Sequence, residues 1–360
     1  MKTLLVLDDS SRVGFGGGQK MTLMVCDILR DIFKFRFVDF SDKTRYRERV
    51  REQFPDSVFL SIGQNDGYKR RKSIWISSIF SLLFHGKRDA KRIVEGLDVK
   101  ECVTYATGKR FLLYAYLLNQ IYGIPYIYHA HLVENPKGLY YPIFKRTIKK
   151  VSAILCVSKT VMDSIESKKK QLLYNPSLND KGPKHIALKK PFIVAFIGSL
   201  IPIKGVEYFI DAAIICDKNI EFRVYGDGPL REDLEERANG RVRFMGFVND
   251  IIQEEYDSID LIVVPTILKE ALPLVAVDAK SVGIPLVVTA PGGQAEIVKD
   301  GVDGFHVPMK DSKAIAEKIK FLVQDGALYK SMAEASFNSF DTFNYKLFSQ
   351  KVREAFRDLK

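Results

Sequence analysis

Cysteine, tryptophan and histidine are scarce in this 360-residue chain, with four, one and five of each. Cys26, Cys102, Cys156 and Cys216 lie far apart and show neither disulfide-framework nor zinc spacing, so reduced core residues are expected. No D-x-D triad occurs, and no cluster of His, Cys and carboxylates has catalytic-metal spacing, so neither a metal nor a resident cofactor is expected. No apolar run approaches the roughly 20 residues of a membrane span. The opening "MKTLLVLDDSSRV" turns acidic too early for a signal peptide, and the expected setting is cytoplasmic. Short-period repeats and low-complexity tracts are also missing, which excludes solenoids.

What is present is a globular composition, 46% hydrophobic and 28% charged, on a length that favours two domains. The net charge of +11 is unevenly spread: residues 1–190 carry +17 and residues 191–360 carry −6. A basic half suits nucleic acid, an anionic membrane surface or a phosphorylated ligand, and equally a solvated basic surface. One segment is specific. Residues 68–92, "YKRRKSIWISSIFSLLFHGKRDAKR", set Trp75, Ile76, Ile79, Phe80, Leu82 and Leu83 between two basic clusters. It is too short to span a bilayer and reads either as a segment lying among headgroups or as a core helix with solvated ends.

Strand and helix signals alternate, as parallel α/β sheets require. "TLLVLD", "FKFRFVDF", "ECVTYAT", "PYIYHAH", "AILCVS" and "QLLYN" read as strands of a first doubly wound sheet. The polar, proline-bearing "PSLNDKGPKHIALKKP" (176–191) reads as a linker. "PFIVAFIG", "FRVYG", "VRFMG", "DLIVVP" and "PLVVTA" then form a second sheet. The expected domains are 1–188 and 189–341, with helix 342–360 packing back on the first, and ligands are expected in a cleft between strand ends.

The loops carry the chemistry. In "EALPLVAVDAKSVGIP" a helix is expected from Leu272 to Ser281, with Pro273 at its first position. Ala271, Leu272 and Leu274 would present free N–H groups to a phosphate, with Pro273, which has none, setting the backbone between them. Glu270 precedes that end and Asp278 lies a turn and a half along it, a spacing that suits the hydroxyls of a nucleotide sugar. A helix cap and a surface carboxylate are the bland alternative. "GSLIPIKG" offers Gly198, Ser199 and Lys204; "YGDGPL" offers Gly226; "APGGQAEIV" offers Gly292, Gly293 and Glu296. Each is weak alone, but together they line one sheet edge. In the first half "VGFGGGQK" places Gly14, Gly16, Gly17 and Gly18 after a strand, where backbone N–H groups reach a diphosphate, although no P-loop follows. "HAH" puts His129 and His131 on one side of a pleat.

Taken in order, "GGGQ", "HAH", "CVS", "YNP", "GSLIPIKG", "GDGP", "FMGFV" and "GGQAEIVKDGVDGF" resemble glycosyltransferase family 4, retaining enzymes of the GT-B fold. The resemblance covers nearly the whole chain. It implies an α/β fold of two Rossmann-like domains facing across a cleft. It implies that Gly17 and Gly18 approach the donor diphosphate, His131 lies near the donor sugar, Lys204 binds the diphosphate and Glu270 holds sugar hydroxyls. Asp278 takes the place of the family's ribose-binding Glu, Gly226 and Val248 flank the base, and Asn175 ends a strand near the hinge. Ser199 stands where the family usually has Arg, and Asp278 is one methylene shorter than Glu.

The expected activity is transfer of a hexose or N-acetylhexosamine from a nucleotide sugar, UDP-linked for choice, to a lipid-linked or surface-polysaccharide acceptor. The expected partners are those substrates and an anionic membrane surface on the inner face of the cell membrane, not nucleic acid. A sugar-nucleotide epimerase and a non-catalytic partner of the same fold are the alternatives.

Overall fold

The structure, a computed structural model, describes residues 1–8, 16–40, 45–62, 74–138, 140–177, 179, 182–183, 190–248, 251–289 and 292–359; for 74–81, 83, 252 and 253 the backbone alone is described. The chain divides into two compact units, Met1–Leu173 with Phe348–Lys360, and Tyr174–Leu347.

Unit 1 runs β1 (Lys2–Leu7), α1 (Gly17–Ile28), β2 (Phe33–Asp39), α2 (Arg45–Gln53), β3 (Val58–Ser61), α3 (Ile74–Val94), β4 (Cys102–Thr107), α4 (Gly108–Tyr122), β5 (Tyr126–Ala130), α5 (Tyr141–Ile148), β6 (Ala153–Cys156), α6 (Lys159–Asp163) and β7 (Lys170–Leu172). The seven strands form one parallel sheet in the order β3-β2-β1-β4-β5-β6-β7. Central strands such as β4 and β5 are buried at every position. Helices on both faces cause this, and it explains why these strands read as continuous apolar runs. β3 escaped the sequence reading because it is a four-residue edge strand whose Val58 is exposed.

Unit 2 runs β8 (Phe192–Ile197), α7 (Val206–Ile215), β9 (Ile220–Tyr225), α8 (Arg231–Ala238), β10 (Arg243–Gly246), α9 (Ile251–Glu254), β11 (Leu261–Val264), α10 (Leu274–Ser281), β12 (Leu286–Thr289), α11 (Gln294–Ile297), β13 (Gly304–Val307), α12 (Ser312–Gln324) and α13 (Gly326–Asn338). Its parallel sheet has the order β10-β9-β8-β11-β12-β13. Phe192, Val194, Phe209, Phe222, Ile315 and Tyr329 are among the buried residues of its core. The Asp311 and Asp325 carboxylates accept from Ala314 N and Leu328 N at 2.9 Å each, capping α12 and α13. β13 is the edge strand the sequence reading missed.

The final helix, α14 (Tyr345–Ala355), belongs with unit 1 from Phe348 onward. The expected boundary at 188 differs from the division at Leu173. Tyr174 and Asn179 bond into unit 2: Tyr174 OH donates to Glu296 at 3.1 Å and Asn179 Nδ2 to Ser281 O at 3.0 Å.

Candidate active site

The sheet of unit 2 changes winding direction between β8 and β11, and in such sheets the ligand crevice opens beyond the carboxyl ends of the strands at this point. β8 feeds the loop Gly198–Gly205, and β11 feeds the loop that begins at Pro265. The two loops are in backbone contact. Ile267 N donates to Ile203 O at 3.1 Å. Gly205 has φ +65°, and a Cβ there would stand 2.1 Å from Pro265 O, so only glycine lets the loops close on each other. Lys204 ends a 3-10 turn on one loop and Glu270 sits on the other. Lys204 Nζ is ion-paired with Glu270 Oε1, their side chains 30% and 15% exposed. Two residues drawn from separate motifs thus meet at the switch point.

The neighbouring loops join the same array. Leu200 N donates to Asp227 O at 2.9 Å, Gly226 N to Gly246 O at 2.7 Å and Gly293 N to Glu270 O at 2.8 Å. Glu270 also forms a parallel β-bridge with Gly292. The loops after β8, β9, β11 and β12, with the end of β10, are therefore one hydrogen-bonded rim rather than separate flexible turns.

Helix α10 begins two residues later than expected: Leu274 is its first residue, and Pro273, with an extended backbone, is the N-cap. The reason is local, because ψ of 116° at Pro273 is not helical and leaves Ala271 and Leu272 in the loop. Ala276 N donates to Pro273 O at 3.1 Å. Asp278 is half-buried on α10, and its charge adds to burial in pushing the Tyr256 phenol up. Ser199 is exposed, Val248 is half-buried and follows Gly246, and Asn175 is buried with an unpartnered Oδ1.

In unit 1, Gly16 is the N-cap of α1, with Gly17 and Gly18 in its first turn. Gly16 N donates to Gln19 Oε1 at 3.1 Å, and Gln19 Nε2 in turn donates to Asp8 Oδ1 at 3.2 Å, which ties the loop to the end of β1. His131 directly follows β5. Its ring lies 4.1 Å from that of His129, as the pleat requires, and both Nε2 atoms are buried without a partner. Desolvation pushes His131 down to about 4 and holds His129 well below the ordinary histidine range, with His131 adding to the effect on His129.

Two arrangements escaped the sequence reading. Tyr105 OH and His129 Nδ1 are hydrogen-bonded at 2.6 Å; the partners come from adjacent strands 24 residues apart, and only strand order reveals the pair. Lys280 of α10 is fully buried, its Nζ 2.6 Å from Asp303 Oδ2 and 2.5 Å from Ser339 Oγ. Burial pushes its ammonium pKa down, against the attraction of Asp303. A lysine in a helix gives no local sign of that burial. Among the described residues no three His, Cys, Asp or Glu side chains group as metal ligands, and no helix is long and apolar enough to cross a membrane. Gly14 lies outside the described residues, as do residues 68–73 and the side chains of Trp75, Ile76, Ile79, Phe80 and Leu83.

Residues 191–325 match the model of the family Glycosyl transferases group 1. That stretch lies within unit 2. The chain is 26% identical over 297 residues to an uncharacterized glycosyltransferase of Methanocaldococcus jannaschii, covering 78% of this chain and 81% of that one. It is also 26% identical over 239 residues to the N,N'-diacetylbacillosaminyl-diphospho-undecaprenol alpha-1,3-N-acetylgalactosaminyltransferase of Campylobacter jejuni, covering 63% of this chain and 60% of that one. An Anabaena protein solved in complex with UDP and glucose superposes with a TM-score of 0.82 at 19% identity, over 99% of this chain and 100% of that one. At that identity the likeness shows the fold alone. The chain has the two Rossmann-like parallel sheets of the GT-B fold.

Proposed function

We propose that this chain is a retaining glycosyltransferase. It moves a hexose or N-acetylhexosamine from a UDP-sugar to a lipid-linked or surface-polysaccharide acceptor. The observation that carries this is the Lys204–Glu270 ion pair at the switch point of unit 2, held by a rim of backbone-bonded loops. A donor diphosphate entering there offers Lys204 a doubly charged partner in place of one carboxylate, and Glu270 turns to accept from sugar hydroxyls. The start of α10 adds its N–H groups to the leaving diphosphate. Asp278 is the carboxylate for the ribose diol. The UDP in the Anabaena structure and the diphospho-undecaprenol acceptor in the Campylobacter name support the substrate classes.

In the proposed step the bond from the anomeric carbon to the diphosphate breaks on the face where the acceptor hydroxyl attacks. The departing diphosphate takes that hydroxyl's proton, and the new C–O bond keeps the anomeric configuration. The protein contributes position and charge stabilisation. Lys204 supplies that charge, so transfer is expected to persist in EDTA; loss on chelation with recovery in Mn or Mg would contradict it. The enzyme works at the inner face of the cell membrane, where lipid-linked acceptors are held.

The deciding experiment is transfer from a UDP-sugar panel by Lys204→Ala and Glu270→Ala. Each is expected to lower turnover by about 100-fold or more, since a charged contact to the leaving group is worth a few kcal/mol and about 1.4 kcal/mol is tenfold. Near-normal transfer by either folded variant would refute the assignment.

A further inference from the structure

Unit 1 carries an open groove of about 1010 Å³ that the donor chemistry leaves unused. It begins at Pro136 and Lys137, in the loop that His131 opens, and continues along α5 to Lys150, with Tyr116 of α4 on its other wall. Lys137, Lys145, Arg146, Lys149 and Lys150 line it against one carboxylate, Glu166. That carboxylate is committed to Lys145, at 2.7 Å. Lys137, Arg146, Lys149 and Lys150 are exposed and have no acidic partner among the described residues.

The fold alone does not account for this charge. A helix C-terminus favours cations, which covers Lys149 and Lys150, but Lys137 stands ahead of the N-terminus of α5, where the dipole opposes it. Lys145 with Lys149, and Arg146 with Lys150, are like-charged i,i+4 neighbours that destabilise a short helix unless an anion lies between them. Tyr141, Phe144 and Ile148 of α5 are buried, which leaves Pro142 exposed and Ile143 half-buried, a small apolar face for anchoring in a bilayer. The groove is also concave, which suits a headgroup-sized anion better than a flat membrane surface. Arg146 Nε reaches the Tyr116 hydroxyl at 3.4 Å, orienting a guanidinium along the wall.

We propose that this groove binds the diphosphate of a lipid-linked acceptor, with Lys137, Arg146, Lys149 and Lys150 as its cationic contacts. The assignment rests on the acceptor class proposed above.

The test uses the full chain in excess UDP, so that the donor site is filled, and soluble geranyl diphosphate as the probe, with inorganic pyrophosphate as competitor. Wild type is expected to bind geranyl diphosphate, more weakly as salt rises. Arg146→Glu with Lys149→Glu is expected to weaken binding at least about tenfold, because charge-assisted contacts become repulsive. Arg146→Lys with Lys149→Arg should stay near wild type. Equal binding by the charge-reversed variant would overturn the proposal. So would no binding of geranyl diphosphate alongside charge-dependent binding to phosphatidylglycerol vesicles, which would make the face a bilayer contact. Thermal shift with UDP-glucose reports separately on the donor site. A chain that responds to UDP-glucose but ignores geranyl diphosphate overturns the groove alone; one that binds geranyl diphosphate through the groove but no nucleotide sugar upholds the groove and overturns the transfer.

Discussion

Lys204 and Glu270 are partners only because two loops 66 residues apart meet. Neither side chain is fully buried, so the pair is worth little to stability and is open to exchange when a diphosphate competes for the ammonium. His131 is placed differently. Its Nε2 is shut away from solvent, and its pKa lies near 4 because the charged form loses hydration. An unfolded histidine titrates near about 6.5. Between those values the unfolded chain binds the proton and the folded chain does not, so stability falls as pH drops from about 6.5 towards 4 and is fully present above that window. His129, shifted in the same direction, steepens the loss. His131→Gln removes one of the two groups, and its melting temperature should therefore depend less steeply on pH across this window than that of wild type. Identical slopes would show that His131 is solvated and titrates normally.

Among the loops and helices, glycine position separates a packing demand from a ligand demand. A Cβ on Gly293 would stand 1.7 Å from Ala271 O, and one on Gly226 would stand 1.9 Å from Gly198 O. Gly293→Ala and Gly226→Ala must push the rim loops apart, at a cost of about 1–3 kcal/mol or more. A Cβ on Gly18 meets nothing within 4 Å. Gly18→Ala should hold or raise the melting temperature, since Gly18 is helical and its Cβ meets nothing, and still reduce transfer where the start of α1 approaches a diphosphate; unaltered transfer would mean that Gly18 approaches no ligand. The rim was only partly legible in the sequence. The loops after β8, β9 and β12 announced themselves by glycine after an apolar strand, but the loop after β11 holds none, and its bond from Ile267 N to Ile203 O joins β11 to β8, which are not consecutive in the chain, so that junction follows only from the order β10-β9-β8-β11-β12. The central strands were readable because burial on both faces makes them apolar throughout. β3 and β13, four residues each at sheet edges, lack that signal. Pro273 misled by one familiar preference, serving as the cap rather than as the first helical residue.

The chain passes between its two units twice, after Leu173 and after Leu347, so the last residues complete the first unit. Phe348, Val352 and Phe356 are buried in unit 1, Phe356 edge-on to Phe33 with ring centroids 6.0 Å apart. Polar contacts reinforce the packing: Lys351 Nζ donates to Leu172 O at 3.2 Å, and Arg353 pairs with Asp31 at 3.0 Å. Each unit thus has buried residues of its own, and disturbing α14 is expected to leave the core of unit 2 intact. Phe356→Ala leaves a cavity between α14 and the sheet, at a cost of about 3–5 kcal/mol. In a unit of this size that lowers the melting temperature by roughly 10 °C. Phe209, fully buried in the other core, is the matched site in unit 2. Calorimetry of the full chain should show Phe356→Ala lowering one transition and Phe209→Ala the other, with UDP stabilising the transition that Phe209→Ala lowers. A single transition shifted equally by both substitutions would show that the two cores melt as one cooperative body.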